Sequence, residues 1–336
     1  MSDSLGIAVL GSDLAGLADL ARRAERRGFE SVFTTEFYDR SATVSLAAMA
    51  AATETITLAS GIAYAVGRTP LVLAAEARDL DELSGGRLLL GLGTGTRRMQ
   101  RDWHGVDGAS TAPRMEELVP LLRRLWALDS GGVEHEGRFY RLALRPTAEV
   151  RPPVRADIPV YLAGVNERMV AAAGAVADGL VGHPIYTRRY VDEVVRPALA
   201  AGARRTGRPE DVPIAGYVIT SVAEDAATAR RDAAAQIAFY AVVRTYRAII
   251  ELERFTDEVD AIRAAWERRD HAAMIAAVSD RMLAAMAVAG TPDEARDQLD
   301  AFRGRYDRLL CYAPSYGLTA PEITDRLHAI LDTFGS

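Results

Sequence analysis

Three side chains able to move a proton stand where short apolar runs give way to turns. The run Ser31 to Thr35 ends Thr35-Glu36-Phe37-Tyr38-Asp39, which sets a carboxylate and a phenol two residues apart. The run Gly179 to Gly182 is followed by His183 and Pro184, an imidazole whose unperturbed pKa lies near neutrality. Glu36, Tyr38 and His183 are therefore the candidates for acid and base work. The plainer readings are a surface ion pair for Glu36 and a satisfied structural histidine for His183.

Other turns offer backbone instead of side chains. Gly91-Leu-Gly93-Thr94-Gly95-Thr96 closes one apolar run, and its glycines either let the chain approach a ligand closely or simply make a flexible turn. Ala163-Gly164-Val165-Asn166-Glu167 closes another; Asn166 at a helix start either caps it or leaves N–H groups able to hold a phosphate. Ser60-Gly61-Ile62 closes a third, and no G-x-S-x-G elbow surrounds the serine to make it a hydrolytic nucleophile. The G-x-G-x-G spacing at Gly91, with no strand-end acid about 20 residues on, disfavours a nicotinamide Rossmann site, and the Gly-Lys-Ser/Thr P-loop pattern is absent. The five histidines, His104, His135, His183, His271 and His328, lie far apart, so no metal is assigned.

The elements that must carry these turns follow a βαβ rhythm. Strands are expected at Leu5 to Leu10, Ser31 to Thr35, Thr57 to Gly61, Leu88 to Leu92, Val160 to Ala163, Gly179 to Gly182, Ile214 to Ser221 and Arg308 to Tyr312, each followed by a helix-period segment. Pro159-Val-Tyr-Leu-Ala163 is apolar throughout, as a parallel strand buried on both faces should be. Glu134 to Leu142 reads as a small hairpin arm before a Pro-rich stretch, and Glu224 to Ala289 as a helical insertion between the seventh and eighth strands. The fold expected is an α/β (β/α)8 TIM barrel, one domain over residues 1–336 with residues 224–289 inserted in it.

Composition narrows the partners. The 336 residues are 49% hydrophobic, 26% charged and 7% aromatic, with net charge −6, the profile of a folded globular protein. No concentrated basic face speaks for nucleic acid. No apolar run approaches the ~18 residues of a membrane span, and the N-terminus carries no signal-peptide pattern. The lone Cys311 excludes an internal disulfide framework. A cytoplasmic protein acting on a small molecule is expected, with a homodimer left open.

Taken in order, the strand ends resemble the luciferase-like flavin and deazaflavin oxidoreductases, in particular the branch using coenzyme F420. The phrases that carry the resemblance are Leu83-Ser-Gly-Gly-Arg-Leu-Leu-Leu-Gly-Leu-Gly-Thr-Gly95, Trp103-His-Gly105, Tyr161-Leu-Ala-Gly-Val-Asn-Glu-Arg-Met169, Ala177-Asp-Gly-Leu-Val-Gly-His-Pro184 and Ala289-Gly-Thr-Pro-Asp-Glu294. The resemblance implies an eight-stranded barrel with insertions and a cofactor ring in the barrel mouth. It also implies two-electron exchange with an organic substrate and a non-proline cis peptide at Gly61-Ile62. Its cofactor residues map onto Glu36, Ser60, Gly61, Ile62, Gly93, Thr94, Gly95, Ala163, Gly164, Val165 and Asn166. Flavin-using members commonly carry an arginine just after the fourth strand; Thr94 stands there, which favours F420 over FMN. Several deazaflavin dehydrogenases place an Asp-His pair after the second strand, whereas Glu36-Phe37 keeps the acid and loses the histidine. The substrate-phosphate lysines of the sugar-phosphate dehydrogenases have no counterpart. The readings carried forward are an F420-dependent oxidoreductase, a reduced-FMN monooxygenase and a deazaflavin-binding protein without turnover.

Overall fold

The computed structural model of the protein describes residues 4–336. The chain runs β1 (Ser4–Val9), α1 (Leu14–Arg26), β2 (Ser31–Thr34), α2 (Ala42–Ala50), β3 (Thr57–Ser60), β4 (Ala63–Tyr64), α3 (Pro70–Leu83) and β5 (Leu88–Gly93). It continues through α4 (Arg97–His104), α5 (Thr111–Trp126), β6 (Val133–Glu136), β7 (Arg141–Leu144), β8 (Val160–Ala163), α6 (Glu167–Val176), β9 (Gly179–Val181), α7 (Arg188–Tyr190) and α8 (Arg196–Thr206). Then come β10 (Ile214–Val222), α9 (Ala226–Ala241), α10 (Arg247–Glu253), α11 (Thr256–Glu267), α12 (His271–Ala276) and α13 (Asp280–Met286). The last elements are β11 (Ala287–Gly290), α14 (Pro292–Asp300), β12 (Arg308–Tyr312) and α15 (Ala320–Phe334). The eight expected strands are all present, shifted by a residue or so at their ends.

The backbone divides into two compact units. The first comprises Met1–Val32, Gly182–Pro197 and Pro213–Ser336, the second Phe33–Val181 and Ala198–Val212. In the first, β11, β10, β12 and β1 lie side by side in that order, all parallel. All nine residues of β10 are buried, which is why that segment is apolar with only small polar residues among the large ones. Helix α1 starts where the Asp13 side chain accepts the Gly16 amide at 2.7 Å, and it buries Leu17, Leu20, Ala21 and Ala24.

One expectation needs correction. Residues 224–289 read as helical throughout, yet β11 takes their last three residues and pairs with Ile219 to Val222 of β10. Ala-Val-Ala-Gly is as compatible with a helix as with a strand by composition; the open edge of β10 supplies the ladder that decides.

In the second unit β3, β5, β8 and β9 are consecutive parallel neighbours, with the two-residue β4 also pairing β5. The six residues of β5 are all buried. Helices α3 and α5 are fastened together by Trp126, fully buried, whose indole N–H donates to the Ala74 carbonyl at 3.1 Å. The hairpin β6–β7 forms as expected and is held by one carboxylate. Glu117 on α5 accepts the amides of Arg138, Phe139 and Tyr140 at 2.9–3.2 Å and lies 3.0 Å from the His135 Nε2.

Burial works to raise the Glu117 pKa, but His135 and the Tyr140 and Phe139 amides outweigh it and hold the carboxyl below its ordinary range. A depressed carboxylate contributes stability above the unfolded pKa, near 4.3, and that contribution is lost as pH falls through the lower folded value. Glu117→Gln is therefore expected to destabilise the protein at pH 7, with the gap to wild type closing in acid. Thermal melts of both proteins from pH 7 down to pH 3 check this, and a gap that stays constant with pH would contradict it.

Candidate active site

The site in the second unit is built on the turn after β3. The Gly61-Ile62 peptide is cis, as the resemblance implies, and three interactions tie it to the end of β2. The Gly61 amide donates to the Thr34 carbonyl at 2.7 Å, the Glu36 amide donates to the Ile62 carbonyl at 2.9 Å, and the Thr35 hydroxyl donates to the Gly61 carbonyl. On the other side Ser60 spends its hydroxyl on the backbone of β5: it donates to the Gly91 carbonyl at 2.8 Å and accepts the Gly91 amide at 3.0 Å. Ser60 is fully buried, so its observed role is to clamp the strand end.

Glu36 is neither free nor on the surface. Its side chain is 11% exposed and lies between the Tyr64 amide, which donates to it at 2.7 Å, and the Arg68 guanidinium, which donates to both carboxylate oxygens at 2.7 and 2.8 Å. Arg68 also pairs with Glu76 at 2.7 Å and donates to the Thr43 hydroxyl at 3.0 Å. Glu36, a candidate for acid and base work with a surface ion pair as its plainer reading, forms a largely buried bidentate ion pair that joins β2, the turn after β3 and α3. Arg68 is the residue sequence reasoning missed. A lone arginine in a turn, 32 residues from its carboxylate, carries no local signal.

Beyond Glu36 the chain presents an aromatic rim. Phe37 and Tyr38 have ring centroids 4.3 Å apart, and the Trp103 ring stands edge-on to both at 5.4 and 5.8 Å. Tyr38 is 75% exposed, so its phenol reaches solvent freely.

At the end of β5 the chain is stripped of side chains for a steric reason. A Cβ on Gly93 would meet Ile62 Cδ1 at 2.4 Å and Ala163 Cβ at 3.3 Å, and Gly95 has φ +65°. Thr94 is buried and has no arginine in its place. The end of β5 lies beside the end of β8, with Leu92 opposite Leu162. There Ala163 and Gly164 lead into α6, whose N-cap Asn166 makes no side-chain capping bond. The helices after β1, β2, β4 and β5 are by contrast each capped by an Asp, Ser or Thr side chain. A helix N-terminus carries the positive end of the helix dipole. The structure brings Glu36, Ser60, Gly61, Ile62, Gly93, Thr94, Gly95, Ala163, Gly164, Val165 and Asn166 onto adjoining strand ends of one unit.

His183 belongs to the other unit. It follows β9 and packs against Tyr240 and Tyr246 at centroid distances of 4.7 and 4.3 Å. Burial pushes its pKa down to about 3, so the ring is neutral at physiological pH. The tyrosines around it come from α9, the turn before α10, and β12, and they were not anticipated from sequence.

The fold is an eight-stranded parallel α/β barrel with surrounding helices, and the protein is an oxidoreductase of the kind that uses a flavin or deazaflavin. The chain belongs to the luciferase-like monooxygenase family, whose profile matches residues 3–308. It is similar to the 5,10-methylenetetrahydromethanopterin reductase of Methanolobus tindarius, 28% identical over 302 residues, 88% of this chain and 90% of that one. It is also similar to a Mycobacterium tuberculosis protein named as a coenzyme F420-dependent oxidoreductase, 29% identical over 308 residues, 84% and 86% of the two chains. The solved structure of the coenzyme F420-dependent tetrahydromethanopterin reductase from Methanopyrus kandleri superimposes with a TM-score of 0.80 at 24% identity, over 99% of this chain and 100% of that one. Among the described residues no helix is long and apolar enough to cross a membrane.

Proposed function

We propose that this protein is a coenzyme F420-dependent oxidoreductase that moves a hydride between the deazaflavin and an organic substrate. The observation that carries the reading is the glycine-rich turn at the end of β5, where Gly93, Thr94 and Gly95 adjoin the end of β8 and the N-terminus of α6, whose Asn166 side chain makes no cap. A phosphate held there would be bound by backbone N–H groups and the Thr94 hydroxyl, without a flavin-type arginine. The name borne by the Mycobacterium tuberculosis relative points the same way. When bound, the deazaflavin supplies the carbon that gives or takes the hydride.

The chain's own groups then divide the remaining work. Glu36 and Arg68 act as positioning residues that hold the Gly61-Ile62 turn on which the ring would rest. Within the same unit Tyr38 is the group left for proton handling, because the Glu36 oxygens are already taken by Arg68 and Tyr64.

The family's monooxygenase members make reduced FMN the competing reading. Titrating the protein with oxidised F420 and with FMN, followed by cofactor fluorescence, separates them. F420 is expected to bind at least about tenfold more tightly, a difference of about 1.4 kcal/mol. Tighter FMN binding, or oxygen-dependent turnover with reduced FMN, would replace the deazaflavin with a flavin.

A further inference from the structure

Around His183 the first unit holds hydrogen-bond donors that find no partner among the described residues. Tyr240 and Tyr312 have their hydroxyl oxygens 3.1 Å apart. One hydroxyl must donate to the other, so the accepting one keeps its own O–H without a partner among the described residues. The Tyr246 ring is pressed against His183 and stands edge-on to Tyr240, and its hydroxyl makes no hydrogen bond among the described residues.

The Ile185 amide donates to His183 Nδ1 at 3.4 Å, which places the ring proton on Nε2, and Nε2 meets no acceptor among the described residues. His183, Tyr240, Tyr246 and Tyr312 are all half-buried, so the cluster keeps some exposure to solvent.

The charge character of the cluster is equally plain. The Tyr240 phenol responds most to burial and to the neighbouring tyrosines, and His183 to burial alone. The ring contacts of His183 and Tyr240 are with Phe239, Tyr240 and Tyr246, and the Tyr240 hydroxyl meets that of Tyr312, so the groups in contact are neutral aromatics. What remains is a set of aromatic faces with spare O–H and N–H donors, which suits a flat, uncharged molecule bringing an acceptor oxygen.

We propose that His183, Tyr240, Tyr246 and Tyr312 form a binding site for the carbonyl oxygen of an uncharged, planar ligand. The aromatic rings sandwich the ligand's flat body, and the spare phenol O–H and His183 Nε2–H donate to its oxygen. That this ligand is the substrate rests on the oxidoreductase reading above; the site itself is defined by the first unit alone.

The test uses the full-length protein without coenzyme and three probes: acetophenone, ethylbenzene, which lacks the oxygen, and benzoate, which adds a charge. Affinities are measured by NMR titration, with the His183 ring signals identified from their loss in His183→Phe. Acetophenone is expected to shift those signals and to bind at least about tenfold more tightly than ethylbenzene or benzoate. Removing one tyrosine hydroxyl of the pair frees the other, so Tyr240→Phe and Tyr312→Phe singly should change little. The double variant should lose about three- to tenfold of the ketone affinity, as expected for one lost donor, while ethylbenzene binding stays the same.

A merely structural role for the tyrosines would weaken both probes together, and that result would overturn the proposal. So would equal binding of ketone and hydrocarbon, or a preference for benzoate. If the double variant fails to fold, the same ratio measured on His183→Phe and Tyr246→Phe decides. Titration of the same preparation with F420 keeps the two readings apart: loss of coenzyme binding with the ketone preference intact refutes the deazaflavin alone.

Discussion

Gly91→Ala is expected to destabilise the protein by at least about 3 kcal/mol, the range of severe overpacking. A Cβ on Gly91 would stand 1.8 Å from the Ser60 carbonyl oxygen and 3.0 Å from its carbon. Both atoms are backbone, and the Ser60 hydroxyl is bonded to Gly91 on both its amide and its carbonyl. Neither strand can retreat without breaking those bonds, so the added methyl must displace the end of β3 and the turn that follows. The control is Gly85→Ala. Gly85 has φ +62°, and a Cβ there would meet nothing within 4 Å, so alanine costs only the left-handed backbone, about 1–2 kcal/mol. Thermal melts of the two variants should therefore separate clearly, with Gly91→Ala the lower. Equal melting temperatures would mean that the β3–β5 contact is not the tight one described.

Glu36→Gln is expected to lower stability by about 1–3 kcal/mol, the range for a buried hydrogen-bonded charge that loses its partner's charge. One glutamine oxygen can still accept the Tyr64 amide, but the side-chain NH2 then faces the Arg68 guanidinium, donor against donor. Arg68 keeps Glu76, which limits the loss. Because the turn after β3 is held from Glu36, affinity for the flavin or deazaflavin should fall with stability, whereas the shape of the pH–rate profile should be unchanged. A variant that melts with the wild type yet loses ~10²–10⁴ in rate and one limb of its pH profile would restore Glu36 as an acid or base.

How much could be read from the chain depends on how local the cause is. The strands at Leu88–Gly93 and Val160–Ala163 were legible because burial on both faces writes itself as an unbroken apolar run. The turns after them were legible because glycine and serine punctuate the runs. Asn166 was legible as an N-cap position, but its failure to cap was not, since a side-chain rotamer leaves no trace in composition. At Ala287–Gly290 the residues suited two structures, and the neighbouring edge of β10 chose.

The candidate site divides in the same way. Sequence by itself determined which residue types stand at the strand ends: the glycines of β5, the acid and phenol after β2, the imidazole after β9. Only the tertiary structure decided what each one faces. Glu36 meets an arginine 32 residues away, and Tyr240 meets a tyrosine 72 residues away. Such pairings have no period and no spacing rule. They arise because parallel strands, joined by crossover helices, bring distant turns to one end of a sheet, where burial makes any donor or acceptor costly to leave alone.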